Sequence, residues 1–398
     1  MATILIVSQR MLGHVLPAVG VGKELKKRGH EVWVLGNKLN QSLVESAGLA
    51  FHEIGWDKFP EMFMEEMARD ILTFVKKTPV DLVLCDSAQS APAFVAEKMG
   101  IKWASFQTTV PLPDHQIPGN PLVNQKMRRK YMKELNQVRE GLGLPPLEDD
   151  RRSRGDYAGL SPHLHLVMVL PHMVSPDLPS LPPSARIVGP CGQQESAPAM
   201  RRRENLPNEQ TTIVICASSS PRIEYRHIIE RYKMASIAAF AEQPCRLIVA
   251  ENQAYAGKEK LPSNVCWRTD HPNHHELMPV ADVVVTHGGC GTLQTAMRYG
   301  VPMVIIPLGA DHPRLAERCR ELGVAIIIPP EEVSPASIRE AVLTIKNNSS
   351  FQAKAFQLAQ SCEGIRPDYT CAVHVEGLLS AGRGGGQSNE RTAESGSI

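Results

Sequence analysis

No run of about 18 or more apolar residues occurs in the 398-residue chain, so a bilayer-spanning helix is not expected. The first ten residues, MATILIVSQR, lack a basic stretch leading into a long apolar segment. A secretory signal is therefore not expected, and a cytoplasmic protein is. Neither sign of charge prevails. Forty-three lysines and arginines against 42 aspartates and glutamates leave a formal charge of +1, which argues against a dedicated nucleic-acid binder. Paired cysteines are missing as well. Nine of them stand apart, with no CxxC spacing and an odd total, the pattern of reduced thiols. What remains is an ordinary globular composition, with 42% hydrophobic and 21% charged residues over a length that suits two or three domains.

The order of the apolar runs is more informative. Thr3–Ser8 reads as a buried parallel strand, followed by a loop with Gly13 and Pro17. A helix through Val21, Leu25 and Arg28 stops at Gly29, and His30–Leu35 is the next strand, completing one βαβ unit. The rhythm continues with a helix over Met62–Lys76, a strand over Asp81–Cys85, a helix over Ala91–Met99 and a strand over Lys102–Phe106. Between about 110 and 160 it loosens into a proline-rich turn and a polar helix near 124–140, whose lysines and arginines read as a solvated face. Residues from Pro176 to about Asn208 have the composition of a linker.

Beyond it the alternation restarts with strands at Thr211–Cys216, Arg246–Ala250, Val283–Thr286, Met303–Pro307 and Ala325–Ile328. Helices are expected over 226–242, from Thr292 and from Leu315 to Leu322. The expected architecture is α/β, with two doubly wound, Rossmann-like domains facing each other across a cleft. An N-terminal domain would span 1–200, with its linker at about 176–208, and a C-terminal domain 209–380. The Gly/Ser-rich tail, 381–398, reads as disordered. Ligands of open parallel sheets bind at the carboxyl ends of the strands, so both halves would offer loops to the cleft.

One turn has the look of an anion site. In Val285-Thr286-His287-Gly288-Gly289-Cys290-Gly291-Thr292 an apolar strand ends in a histidine and glycines before a helix opens. Glycines allow close backbone approach, and the free N–H groups and positive dipole of the helix start attract a phosphate. Thr292 suits a helix cap or a phosphate donor, and His287 can donate to the same anion. The turn is neither a GxGxxG nor a Walker loop, so NAD and ATP are not its expected ligands. A second strand end, Pro307-Leu308-Gly309-Ala310-Asp311-His312, can reach the cleft, although Asp311 also reads as a helix cap.

The segment HGGCGTLQTAMRYGVPMVIIPLGADHPRLAERCRELGVA resembles the donor-binding signature of GT-B, nucleotide-sugar-dependent glycosyltransferases, closest to the macrolide and natural-product group of family 1. The N-terminal GHVLPAVGVGKELKKRGHEV is similar to that family's Gly-His-x-x-Pro and Arg-Gly-His-x-Val pattern. The resemblance covers about residues 3–375. It implies an inverting, metal-free hexosyltransferase that uses a nucleoside diphosphate sugar as co-substrate and a small, largely apolar molecule as acceptor. Position by position, it implies His14 as catalytic base and Asp86 as the carboxylate that orients it. His287, Gly288, Gly289, Gly291 and Thr292 match diphosphate contacts, and Asp311 and His312 fall at the sugar-hydroxyl positions. Ser218 and Ser219 stand where the family has a Gly-Ser phosphate loop, and Thr108 where a sugar contact is found.

Three departures shape the donor. Thr295 replaces the glutamate that bonds the ribose hydroxyls of a uridine nucleotide, which weakens the case for UDP and leaves room for a 2′-deoxyribose donor such as dTDP. His312 and Leu315 replace Gln and Asn at the sugar end, and Ala217-Ser218-Ser219 lacks the usual glycine. A nucleotide-sugar epimerase on the same fold, or a non-catalytic nucleotide-sugar-binding protein, stands as an alternative.

Other candidates carry less. His271, His274 and His275 lack a fourth ligand for a metal, Asp149 and Asp150 read as a solvated charge cluster, and Trp267 is either a base-stacking surface or core. Methionines 62, 64, 67, 127 and 132 suit either an adaptable acceptor pocket or helix core.

Overall fold

The protein's structure is a computed structural model. It describes residues 1–54, 64–110, 121–148, 160–176, 181–192, 210–217, 223–251, 253–258, 260–269, 274–309 and 311–381. The first half runs β1 (Thr3–Val7), α1 (Leu12–Lys27), β2 (Glu31–Gly36), α2 (Gln41–Ser46), β3 (Ala50–Glu53) and α3 (Met64–Lys77). It continues with β4 (Leu82–Asp86), α4 (Ala91–Met99), β5 (Lys102–Gln107), α5 (Pro121–Gly141), β6 (His165–Val167) and β7 (Ala185–Ile187). The second half runs β8 (Thr211–Cys216), α6 (Arg226–Phe240), β9 (Cys245–Ala250), β10 (Val265–Arg268), α7 (His274–Leu277), β11 (Val283–Thr286) and α8 (Cys290–Arg298). Then come β12 (Met303–Ile305), α9 (His312–Glu321), β13 (Ala325–Ile327), α10 (Pro335–Asn347), α11 (Ser349–Ser361) and α12 (Pro367–Ser380).

All pairings are parallel, in the orders β3-β2-β1-β4-β5-β6-β7 and β10-β9-β8-β11-β12-β13. The two Rossmann-like sheets face each other across a cleft. Chain direction across each sheet reverses between β1 and β4 and between β8 and β11, so each half has a switch point where a crevice opens. Period-2 alternation distributes each strand between two cores. Ile4 and Ile6 face the layer that holds α1, while Leu5 and Val7 face that of α3 and α4, where Met64 and Met67 join the core. Val167, Val169, Leu170 and Met173 of the first half share a cluster with Leu293, Ala296 and Met297 of α8, fastening the halves together.

The structure departs from the sequence reading in several places. Helix α1 begins at Leu12, so Gly13 and Pro17 lie inside it rather than in a loop, and His14 falls in its first turn. Likewise α8 begins at Cys290 and α9 at His312, each earlier than read. Arg139 of α5 is not on a solvated face: it is buried, paired with Glu97 at 2.6 Å and stacked over Phe94. Strand β7 interrupts the segment read as a linker.

The last helix returns to the first half. Glu376 of α12 takes a bidentate pair from Arg28 and a third contact from His30, and Lys102 donates to the carbonyls of Leu378 and Leu379. The Cys371 and Cys191 Sγ atoms lie 3.4 Å apart as free thiols. Next to Cys191, Gly192 (φ +73°) presses on α1, and a Cβ there would lie 2.2 Å from the Leu16 carbonyl oxygen. Gly192→Ala combines left-handed strain with a backbone clash, so it should cost at least about 2 kcal/mol. A denaturant midpoint unchanged from wild type would refute that.

Candidate active site

His14 and Asp86 flank the switch point of the first sheet, one in the first turn of α1 after β1 and the other closing β4. His14 Nδ1 lies 2.7 Å from Asp86 Oδ2, with the His14 side chain 20% exposed and that of Asp86 1%. The carboxylate is held from other directions too. Its Oδ1 accepts from the Ala88 N–H at 3.1 Å, and Oδ2 from the Gln9 N–H at 3.4 Å. A buried carboxylate fixed in this way accepts a hydrogen bond from the imidazole N–H at Nδ1 and leaves the basic lone pair on Nε2. Thr108 Oγ1 completes the corner, 3.3 Å from His14 Nδ1.

The next residue bridges the halves. Thr109 Oγ1 donates to Asp311 Oδ2. Asp311 occupies the N-cap position of α9, and its backbone carbonyl accepts from Leu315 N at 3.0 Å. Its carboxylate makes no capping bond, and its hydrogen bond goes to the opposite half instead. His312 follows, its ring edge-on to His287 with centroids 5.1 Å apart. A continuous path therefore runs from the imidazole of His14 through Thr108, Thr109, Asp311 and His312 to the glycine turn.

That turn is shaped by its side-chain-free positions. At Gly288 (φ +92°) a Cβ would lie 3.1 Å from Ile305 Cγ2, and at Gly289 only 2.6 Å from His287 Nε2. Gly289 is the N-cap of α8, with Leu293 N bonded to its carbonyl at 3.1 Å. The N–H groups of Cys290, Gly291 and Thr292 thus have no partner within the helix, which makes this end receptive to an anion. Thr292 is the third residue of α8 rather than its cap, with Oγ1 3.5 Å from His274 Nδ1. Thr295 is buried and donates its hydroxyl proton to the Gly291 carbonyl at 2.8 Å. Ser218, Ser219 and His271 lie outside the described residues.

Two residues that no motif announced also belong here. Thr109 sits one place beyond Thr108. Gln294 of α8 accepts from Leu170 N at 2.6 Å and so ties that helix to the first half. Its only signal is a polar residue amid the buried Leu293, Ala296 and Met297. Trp267 donates to the Gln253 carbonyl and packs beside Tyr255 and Lys233, lining a cavity of about 340 Å³. Among the described residues no group of three or more His, Cys, Asp or Glu side chains is placed to hold a metal ion.

Burial, with help from His312 and His274, pushes His287 down to about 3, so it meets a ligand as a neutral ring. Burial also lowers His165 to about 4, and burial followed by Arg298 does the same to His275. The ordinary value is 6.5. Below it the unfolded chain protonates these rings while the folded one resists. Stability should therefore be full above about pH 6.5 and fall steadily towards pH 4. The urea midpoint against pH should report an uptake on unfolding that approaches three protons from these rings. A flat profile through that window would contradict it.

A family model described as the C-terminal domain of erythromycin biosynthesis protein CIII-like proteins matches residues 234–368, and a glycosyltransferase family 28 N-terminal domain model matches 12–80. The chain is 27% identical to 4'-demethylrebeccamycin synthase of Lentzea aerocolonigenes, over 92% of this chain and 97% of that protein. Its fold is similar to that of the kitacinnamycin glycotransferase, with a TM-score of 0.74, 21% identity and coverage of 95% and 99% of the two chains. It is also similar to glycosyltransferase VinC, solved with dTDP, with a TM-score of 0.70, 18% identity and coverage of 96% and 100%.

Proposed function

We propose, on the premise that this chain is a GT-B glycosyltransferase of the natural-product type, that it transfers a sugar from a nucleoside diphosphate to a hydroxyl of a small, largely apolar acceptor with inversion at the anomeric carbon. His14 Nε2 takes the hydroxyl proton as the acceptor oxygen attacks. Asp86 stabilises the imidazolium that forms. The bond from the anomeric carbon to the diphosphate oxygen breaks with its electron pair. The charge left on the leaving group meets the N–H groups that open α8, with His287 donating as a neutral ring. Asp311 and His312 hold the sugar hydroxyls, with Thr108 alongside, and Ser218 and Ser219 complete the phosphate loop. No step calls for a metal.

The observation that carries this reading is the path from the His14–Asp86 pair to Asp311 and the His287 turn, which supports a base and a leaving-group site that share one crevice. For the donor, dTDP or UDP fits, and dTDP is favoured. Thr295 has no second oxygen for a bidentate grip on ribose hydroxyls, and its own proton is committed to Gly291. The dTDP complex of VinC has the same fold. Antibiotic biosynthesis is the setting that the relatives suggest, and the nine free cysteines suit a cytoplasmic one.

Thermal shift with dTDP, UDP, GDP and ADP should raise the melting temperature most for dTDP, by linkage. Donor sugar should be consumed only when an acceptor is present. Isomerisation of the donor alone would favour the epimerase, and nucleotide binding without any turnover would favour the non-catalytic reading.

A further inference from the structure

The segment that leaves β5 carries a hydroxyl anchored on both sides. Gln107 ends the strand, where its carbonyl accepts from Met168 N at 2.8 Å and its Oε1 from His165 Nε2 at 2.9 Å. Thr108 Oγ1 lies 3.3 Å from His14 Nδ1. Val110 is 4% exposed, in the cluster that joins the halves with Leu293 and Met297 of α8. Thr109 stands between these anchors, and its Oγ1 donates to Asp311 Oδ2 across the cleft.

Asp311 has a nearer use for its carboxylate. An aspartate at an N-cap ordinarily accepts from the second or third backbone N–H of its own helix. In α9 the second residue is Pro313, which has no N–H, so only Arg314 N is left. The side chain makes no capping bond. The helix therefore competes weakly for the carboxylate, and the Thr109 hydroxyl turns it outward. That bond engages one oxygen. The other, Oδ1, lies 3.9 Å from His312 Nε2, and the Asp311 side chain is 26% exposed, so it is open to a ligand. An ionised carboxylate has lone pairs enough to serve Thr109 and a sugar hydroxyl together.

Resting on the glycosyl-transfer reading, we infer that Thr109 is a positioning residue for sugar recognition: its hydroxyl, supplied by the first half, aims the Asp311 carboxylate of the second half at a hydroxyl of the donor sugar. The aim is then a property of the two halves together. A nucleoside diphosphate without a sugar makes no demand on it. Without the Thr109 hydroxyl the carboxylate turns back towards Arg314 N. The helix stays capped, while the sugar loses a charged acceptor.

The test compares dTDP with dTDP-glucose, whose sugar carries several hydroxyls, by calorimetric titration of the full-length enzyme. Thr109→Val keeps the branched shape and removes the hydroxyl. It should weaken dTDP-glucose about tenfold, with dTDP affinity and melting temperature at their wild-type values. Thr109→Ser restores the hydroxyl and should bind both ligands as wild type does. Asp311→Ala should show the same selective loss, and adding Thr109→Val to it should change nothing more. Equal weakening of dTDP and dTDP-glucose in Thr109→Val would make the residue a structural one and overturn the inference. So would an undiminished affinity for dTDP-glucose, or a wild type that binds dTDP but not dTDP-glucose. A further loss on the Asp311→Ala background would also overturn it, since Thr109 would then meet the sugar itself. If wild type binds neither ligand, the glycosyl-transfer reading fails first and the inference falls with it.

Discussion

His14→Ala should lower kcat by about 10²- to 10⁴-fold, the range for losing a positioned general base, while the dissociation constant for dTDP stays within about twofold. The two halves of that expectation come from different places in the molecule. The imidazole is held by Asp86 and Thr108 in the first half, so removing it deletes the proposed proton acceptor. The proposed anion site is built from the α8 start and the glycine turn, in the second half of the chain. Asp86→Asn probes the same step through tautomer control. An amide can donate to Nδ1, which places the imidazole proton on Nε2 and blocks the atom proposed as base. It should approach the loss seen for His14→Ala, with nucleotide binding again preserved. Full transfer activity in His14→Ala would dismiss the mechanism. Loss of nucleotide binding in both variants would mean that the pair supports the fold rather than the chemistry.

The sheet centres were legible because strands covered on both faces must be apolar throughout. TILIV, LVLC, TTIVIC and VVVT announce themselves, and each lies at or beside a switch point. Three of the short strands were not. β6, β7 and β10 have three or four residues and include His165, Arg186 and Arg268, so no period can be counted. The start of α1 was misjudged because Gly13 and Pro17 are breakers by propensity, and the packing of the distant Gly192 against Leu16 and Pro17 is invisible locally. Helices 335–347, 349–361 and 367–380 carry no signature tied to chemistry, and the return of α12 to the first half rests on contacts such as Arg28 with Glu376, 348 residues apart.

The site divides in the same way. His14 and the glycine turn lie within local motifs that resemble a known family, so their positions could be named in advance. Thr109 and Gln294 owe their places to the meeting of two halves. Thr109 reaches Asp311 and Gln294 reaches Leu170 only because the sheets face one another.

Gly289→Ala should weaken dTDP binding about 100-fold, the cost of losing one or two hydrogen bonds to the charged diphosphate. The backbone at Gly289 (φ −63°, ψ 132°) suits any residue, so left-handed strain plays no part. The effect comes from the added methyl, which would sit 2.6 Å from His287 Nε2 and 3.1 Å from its Cε1. That ring is buried and edge-on to His312, so the turn or the first residues of α8 must give way. Gly291→Ala supplies the contrast. Among the described residues, no atom apart from its chain neighbours and its own helical backbone lies within 4 Å of a Cβ there, so melting temperature should match wild type. Only a ligand pressed against the first turn of α8 would feel that methyl, and losing one charge-assisted hydrogen bond would weaken dTDP roughly tenfold. If Gly291→Ala binds dTDP as tightly as wild type while Gly289→Ala does not, the diphosphate lies beside His287 but away from the helix start. The leaving-group charge would then have to be met by other groups than the N–H atoms that open α8.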